Sequence, residues 1–388
     1  MADGLSVSVA GSFAAIAAAD WNACAGTANP FTTYEFLAAL EESGSTTGKT
    51  GWLPRPLLVH DGAGTLVGAA PAYLKSHSYG EYVFDHGWAE AYQRAGGRYY
   101  PKLQVAVPFT PATGPRLLVR PQADGSAVRR ALAEGLQALA AETGTSGVHA
   151  TFLQPADADA LSAAGYIPRH GLQFHWENRG YADFDDFLGA LASRKRKQLR
   201  KEREAARATG LQIGVLRGAE ITPRHWDAFY RFYQNTIDRK WGWAYLTRAF
   251  FDLMTAALGE RVLLVVAQED GEPVAGALNL LGGDTLYGRN WGCGREVPFL
   301  HFECCYYQAI DFAITHGLAR VEAGAQGQHK IQRGYLPVLT RSAHWLADPA
   351  LARAVREAMG RERVHVGREL SALAALSPYR RDGPQAAA

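Results

Sequence analysis

From residue 261 onward the alternation of apolar and polar positions resolves into clear elements. Arg261–Gln268 (Arg-Val-Leu-Leu-Val-Val-Ala-Gln) is a β-branched apolar run, Asp270-Gly271 marks a turn, and Val274–Leu281 is a second strand. Gly282-Gly283-Asp284 turns again into a third strand, Thr285–Gly292. Phe302, Cys305, Tyr306, Ala309, Ile310 and Ala313 then recur at helical spacing, which predicts a helix over Pro298–His316 stopped by Gly317. Short strands follow at Ala319–Ala323 and Thr340–Leu346, and a last helix at Pro349–Met359. Upstream, Pro223–Gln234 and Thr247–Leu258 read as helices. The order is helix, helix, three strands, helix, strand, irregular segment, strand, helix.

The first half repeats this order loosely. Helical patterns occupy Gly11–Cys24 and Thr33–Ser43, and a hairpin joins Leu57–His60 to Leu66–Leu74 across Asp61-Gly62-Ala63-Gly64. A strand over Leu103–Phe109, a helix over Ala127–Glu142, a strand over Val148–Leu153, a helix over Ala156–Ala164 and a strand over Phe174–Asn178 follow. Two similar halves suggest a duplicated α+β architecture, with domains at 1–179 and 180–388 and the boundary near Arg179–Gly180. At 388 residues each half is long enough to bury a core of its own.

Composition narrows the class of partner. With 47% hydrophobic and 20% charged residues the chain is an ordinary globular protein, and a net charge of +2 gives no global drive toward DNA. No apolar run is long enough to span a membrane, and the acidic start, Met1-Ala2-Asp3-Gly4, does not resemble a secretory signal. Cys24, Cys293, Cys304 and Cys305 have no CxxC spacing, which favours free thiols, no structural metal and a cytoplasmic address. The charge is uneven, however. Ser193–Arg207 carries eight basic and two acidic residues, so the rest of the chain is at −4 (+2 minus +6).

Several blocks carry a resemblance. Tyr73–Asp85 with Trp88, Ala91-Tyr92 and Tyr99–Leu103, then Val107–Thr110 and Thr113–Arg116, resemble the FemAB-like proteins linked to peptidoglycan biosynthesis or recognition. In the second half Asp238–Gly242, Gly276–Asn279, His301–Glu303, Gly324–Gly327, His329-Lys330 and Arg333-Gly334 continue the match. His86 departs from it where relatives are expected to carry an aromatic residue, and Asn290 is a second departure. The resemblance implies two tandem GNAT-like (acyl-CoA N-acyltransferase) domains, each a mixed, mainly antiparallel sheet flanked by helices, and a transferase activity. It extends remotely to the Fem transferases, which move an amino acid from aminoacyl-tRNA to a lipid-linked cell-wall precursor.

Acyl transfer to an amine needs a proton acceptor, a polarised carbonyl and a grip on the donor carrier. GNAT enzymes that use acyl-CoA hold its pyrophosphate in a Gly-rich loop at the start of the central helix. Here that junction, Gly294–His301, lacks the glycine spacing and carries Glu296, although Arg295 offers one cation. Aminoacyl-tRNA and acyl-CoA therefore both stand as donors, with no resident cofactor. Glu322–Tyr335 offers the grip. Gly324 and Gly327 allow close backbone approach, Gln326, His329, Lys330 and Arg333 supply donors, and the resemblance implies that Lys330 lies by the donor's 3′ end. Glu322 and His301 are the acid/base candidates. Tyr82, Asp85, Trp88, Tyr92 and Lys102 are candidates for an acceptor wall, with Asp85 facing a cationic amine. Arg194, Lys195, Arg196, Lys197 and Arg200 form either a solvated helix face, with Ser193 as N-cap and Leu199 as its apolar anchor, or a ridge for the phosphates of a tRNA or an anionic membrane. Cys304 and Cys305 read as core. The expected reaction passes an acyl or aminoacyl group to an amine of a peptide-like or lipid-linked cell-wall precursor. The alternatives are acetylation of a small amine from acyl-CoA and a recognition module without turnover.

Overall fold

A computed structural model describes residues 4–238, 244–324 and 327–380. The chain forms two compact units, and neither is a contiguous half. The first takes the residues up to Gly171 together with Tyr245–Leu253 and Leu339–Arg368; the second takes Leu172–Ala244, Met254–Val338 and the residues from Glu369 onward. The single crossing expected near Arg179–Gly180 is thus replaced by an interleaved path.

The first unit holds two sheets. One is antiparallel, in the order Ser6–Val9, Leu57–His60, Leu66–Ala70, Leu118–Val119. On it lies the helix Gly125–Thr143, whose Val128, Leu132, Leu136 and Leu139 repeat at three and four residues and enter the core. Asp124 caps this helix through the Ser126 and Ala127 amides, and Gly144 ends it in a left-handed conformation at φ 62°. Each fully buried leucine contributes about 1.5–3 kcal/mol. The second sheet runs Trp52–Pro54, Ala72–Lys75, Lys102–Val105, Gly147–Thr151 and then residues 342–346 of the strand Leu336–Leu346. The strand expected over Leu66–Leu74 is cut at Pro71, which has no N–H for a ladder, so its two parts join different sheets.

The second unit is one sheet, in the order Gln212–Arg217, Val262–Glu269, Glu272–Gly282, Thr285–Cys293, Arg320–Glu322 and residues 175–177 of the strand Ile167–Glu177. Its pairs are antiparallel except that between Thr285–Tyr287 and Arg320–Glu322, which is parallel. The central helix covers Leu300–Thr315, but Glu303–Tyr307 forms a π-turn inside it, which the apolar spacing did not indicate. Phe174, Trp176, Phe187, Tyr307, Ile310 and Val321 lie in the core between sheet and helix. The last helix runs over Pro349–Ala374, well past the expected end at Met359. Val355, Met359 and Val366 keep one face buried, and that burial outweighs the ~1 kcal/mol cost of Gly360 inside a helix.

Candidate active site

In the second unit the sheet opens at one point. The parallel pairing ends at Tyr287 opposite Glu322. On the other side of the same strand, Asn279 pairs with Gly288 and Ala277 with Trp291, so an extra residue bulges out at Arg289–Asn290. A bulge bends its strand and re-aims side chains. Past Tyr287 and Glu322 the two strands are no longer hydrogen-bonded, and Ala323–Gly324 leads out of that gap.

Lys330 stands at the gap. It follows Gly327, whose φ of 115° suits glycine and where an added Cβ would meet the His329 ring at 2.4 Å. The Lys330 ammonium is buried and donates to the Ala323 carbonyl at 2.6 Å and the Gly324 carbonyl at 3.0 Å. No carboxylate pairs with it among the described residues, and burial pulls it down from 10.5 to about 8. Glu322 is buried, with His175 Nε2 3.8 Å from its Oε2. Burial, helped by Arg320 and Lys330, holds His175 down to about 3, so near neutral pH it is a neutral neighbour rather than an ion-pair partner. His329 Nε2 lies 2.9 Å from the Tyr306 hydroxyl, and burial lowers its basicity too. His301 joins this group, its ring 5.4 Å from Tyr306, 5.4 Å from Trp291 and 6.3 Å from His329. Arg333 packs its guanidinium 3.4 Å over the Phe302 ring and donates to the His329 carbonyl at 2.8 Å. Gln326 lies outside the described residues.

The basic helix, Ser193–Arg207, is tied to this group from below. Ala192, not Ser193, occupies the N-cap position, and no side chain caps it. Arg194, Lys197, Arg200 and Lys201 are exposed, Lys195 and Arg196 are half-buried, and Arg200 pairs with Asp185 at 3.0 Å. The inner face carries Leu199 and Ala206 and also two buried charges that the solvated-helix reading missed. Glu202 accepts from Arg333 at 2.9 Å and from the Tyr307 hydroxyl. Arg203 donates to Glu303 at 3.0 and 3.2 Å and to Asp311 at 2.5 Å. Glu303, on the π-turn, is therefore the anchor of an ion pair. Burial pushes the Cys304 and Cys305 thiols up, as suits core residues.

The residues expected to form an acceptor wall lie in the first unit, around Lys102. Asp85 does not stand open to an incoming amine. Its Oδ2 accepts from Lys102 Nζ and, at 2.6 Å, from the Tyr99 hydroxyl. Burial alone would raise the Asp85 carboxyl, but the Lys102 ammonium overrides it and holds it well below the usual carboxylate range. Lys102 is itself fully buried and also donates to Glu81 at 2.7 Å and to the Ser78 hydroxyl at 2.8 Å. Trp88 and Tyr92 are half-buried on the helix His86–Arg94; Trp88 packs edge-on to His344 at 5.0 Å, and Tyr92 donates to Asp348 at 3.4 Å. Tyr82 is half-buried, in a left-handed conformation at φ 59°.

Two mixed α+β units, each built on mainly antiparallel sheet structure flanked by helices, define the class of this fold. The chain belongs to the FemAB-like family, described as peptidoglycan biosynthesis/recognition, whose sequence pattern matches residues 12–381. The structure is similar to that of FemX, with a TM-score of 0.55 at 12% identity over 88% of this chain and 98% of that one. It is also similar to the C-terminal domain assigned to a lysylphosphatidylglycerol synthetase of Agrobacterium fabrum, with a TM-score of 0.52 at 10% identity over 88% and 94% of the two chains. A tandem GNAT protein from the clavulanic acid biosynthesis pathway aligns over 88% of this chain and 98% of that one at 13% identity, with a TM-score of 0.44. No curated protein sequence matches the chain.

Proposed function

We propose that the protein transfers an acyl or aminoacyl group to an amine on a cell-wall peptide precursor, using the opening beside Glu322 and Lys330. The observation that carries this reading is the sheet gap itself. A strand pair that parts at Tyr287 and Glu322 admits a thioester or ester donor edge-on, and Lys330 stands there as a buried cation without a counter-ion among the described residues. Two of its N–H groups bind carbonyls, which leaves the third for the oxygen that gains charge as the amine attacks. Glu322 takes the proton the amine loses, with His301 and His329 as the alternative relay on the other rim. The donor's carrier oxygen or sulfur then leaves with that proton.

Aminoacyl-tRNA fits the donor end better than acyl-CoA. Gly294–Phe299 contains no phosphate-cradling glycine pattern, and Arg295 is paired with Glu269 at 2.7 Å. The exposed cations Arg194 and Lys197, with Arg200 beside them on Asp185, offer a run for tRNA phosphates or for anionic headgroups around a lipid-linked acceptor. The family's description supports a cell-wall precursor as acceptor. Incubation with labelled aminoacyl-tRNA and, separately, labelled acyl-CoA, with and without lipid-linked precursor, tests the reading. Transfer of label to the precursor is expected from aminoacyl-tRNA. Consumption of neither donor would leave a recognition module in place of an enzyme.

A further inference from the structure

The segment that carries Lys330 is a turn of uncommon length. Gln328–Arg333 forms six residues of 3₁₀-helix. Longer runs of this kind are disfavoured, because side chains eclipse and the hydrogen bonds are poorly aligned. Gly327 and Gly334 bound it at φ 115° and 90°, and no side chain caps its start. Such a turn does not keep its shape by its own hydrogen bonds. Whatever fixes the turn fixes the ammonium inside it.

Arg333 does so from the last position. Its Nη1 donates back to the His329 carbonyl at 2.8 Å, and its Nη2 donates to Glu202 at 2.9 Å. The guanidinium is buried and covered on one face by the Phe302 ring. Its side chain therefore faces inward and braces the turn, although the sequence offered it as a grip on the donor. Glu202 is held for this from two further sides. The Tyr307 hydroxyl donates to the oxygen that Arg333 binds, and Gln198 donates to the other at 2.9 Å. The next residue on the same helix, Arg203, pairs with Glu303. Glu303 and Tyr307 are the two ends of the π-turn, and Tyr306 within it meets His329. Residues 202 and 203 thus clamp two irregular turns, the π-turn and the 3₁₀ turn, to one regular helix. Interruptions of the π type concentrate at functional sites.

The geometry points to Glu202 and Arg333 as positioning residues, which hold the Gln328–Arg333 turn so that the Lys330 ammonium stays buried against the Ala323 and Gly324 carbonyls. This deepens the acyl-transfer reading above and rests on it. Neither side chain is hydrogen-bonded to the ammonium, whose partners are the two carbonyls. The titratable groups in electrostatic reach of Lys330 are Cys305 on the π-turn, His175 on its strand and His329 on its own turn. Glu322 stands one residue before the Ala323 carbonyl. Burial keeps the thiol protonated and both imidazoles neutral near neutral pH. The proton on Lys330 therefore reports how well the turn excludes water.

The test uses the full chain carrying Glu202→Gln and Arg333→Gln together, which strands no buried charge and keeps hydrogen-bonding groups at both positions. Lys330 is titrated by NMR on protein with isotope-labelled lysine side chains, and Lys330→Arg identifies its signal. Wild type is expected to titrate near 8. The double variant should titrate about one unit higher or more, as water reaches the ammonium, and should still melt cooperatively. In the transfer assay its kcat should fall about tenfold or more while KM for the donor stays within about twofold. An unchanged midpoint overturns the assignment. So does loss of cooperative melting in the double variant, which would make the pair a scaffold of the whole unit. The titration needs no donor, so the two readings fail separately. A raised midpoint without transfer from any donor leaves the brace on Lys330 standing and removes the enzyme; an unmoved midpoint with transfer intact does the reverse.

Discussion

Two of the buried lysines, Lys102 in the first unit and Lys330 in the second, are treated in opposite ways. Lys102 has two carboxylates, a serine hydroxyl and no exposed atoms to spare, and its partners hold it fully charged. Lys330 has two backbone carbonyls and no acid among the described residues, and burial brings it down to about 8. An ammonium compensated by two acids is a framework element, because removing it strands buried charge. An ammonium left with neutral partners is costly to fold and is retained where a negative charge arrives later. Under the proposed function Lys102 belongs to the scaffold and Lys330 to the chemistry, although both lysines were candidates for substrate contact on sequence grounds.

The largest effect that tests this contrast is Lys102→Met. It leaves Asp85 buried without its cation and Glu81 with only Lys75 at 3.9 Å, and destabilisation of about 3–5 kcal/mol is expected in denaturant titrations. Lys330→Met should instead cost little stability near neutral pH while activity falls. Equal losses of stability in the two variants would erase the distinction. On turnover, Lys330→Ala and Glu322→Gln should each lower the rate tenfold or more, ~1.4 kcal/mol or above; full activity in both would remove the site.

The pH dependence sharpens the same comparison. Lys330 sits at about 8 in the folded chain against an ordinary 10.5. Below about 8 it is charged in both folded and unfolded chains, and its burial penalty is fully present. Between about 8 and 10.5 the folded chain loses the proton first, so wild type gains stability relative to Lys330→Met as pH rises through that window. Activity that needs the ammonium moves the other way and should decline with a midpoint near 8, measured as the transfer rate at saturating donor. The smallest effect belongs to the outer helix. Replacing Arg194 and Lys197 with glutamine should change stability by less than ~0.5 kcal/mol. It should also flatten the salt dependence of tRNA binding by about one unit per lost phosphate contact.

How much of this was legible in the sequence follows from the range of the interactions involved. The strand pattern after residue 261 and the helix over Gly125–Thr143 are local and periodic, and they form close to where expected. The segment from Glu322 to Arg333 was legible because glycines and cations cluster in it, and His301 joins it across the fold. What stayed hidden depends on partners far apart in sequence. Glu202 reads as one more charge on a charged helix until Arg333, 131 residues on, claims it. Asp85 and Lys102 read as open surface groups because nothing local shows that each neutralises the other. The π-turn at Glu303–Tyr307 leaves the apolar spacing almost intact, so no periodicity betrays it.

The interleaved path has a consequence for synthesis of the chain. The strand Gly147–Thr151, buried along its whole length, has Lys102–Val105 on one side and receives its other neighbour only when residues 342–346 emerge. Until then the nascent first unit carries a bare apolar edge of the kind that pairs with other chains. The protein thus commits its first half to waiting for its last quarter. An expressed fragment of residues 1–179 should aggregate, and one that stays monomeric and folded would show that the late strand is dispensable.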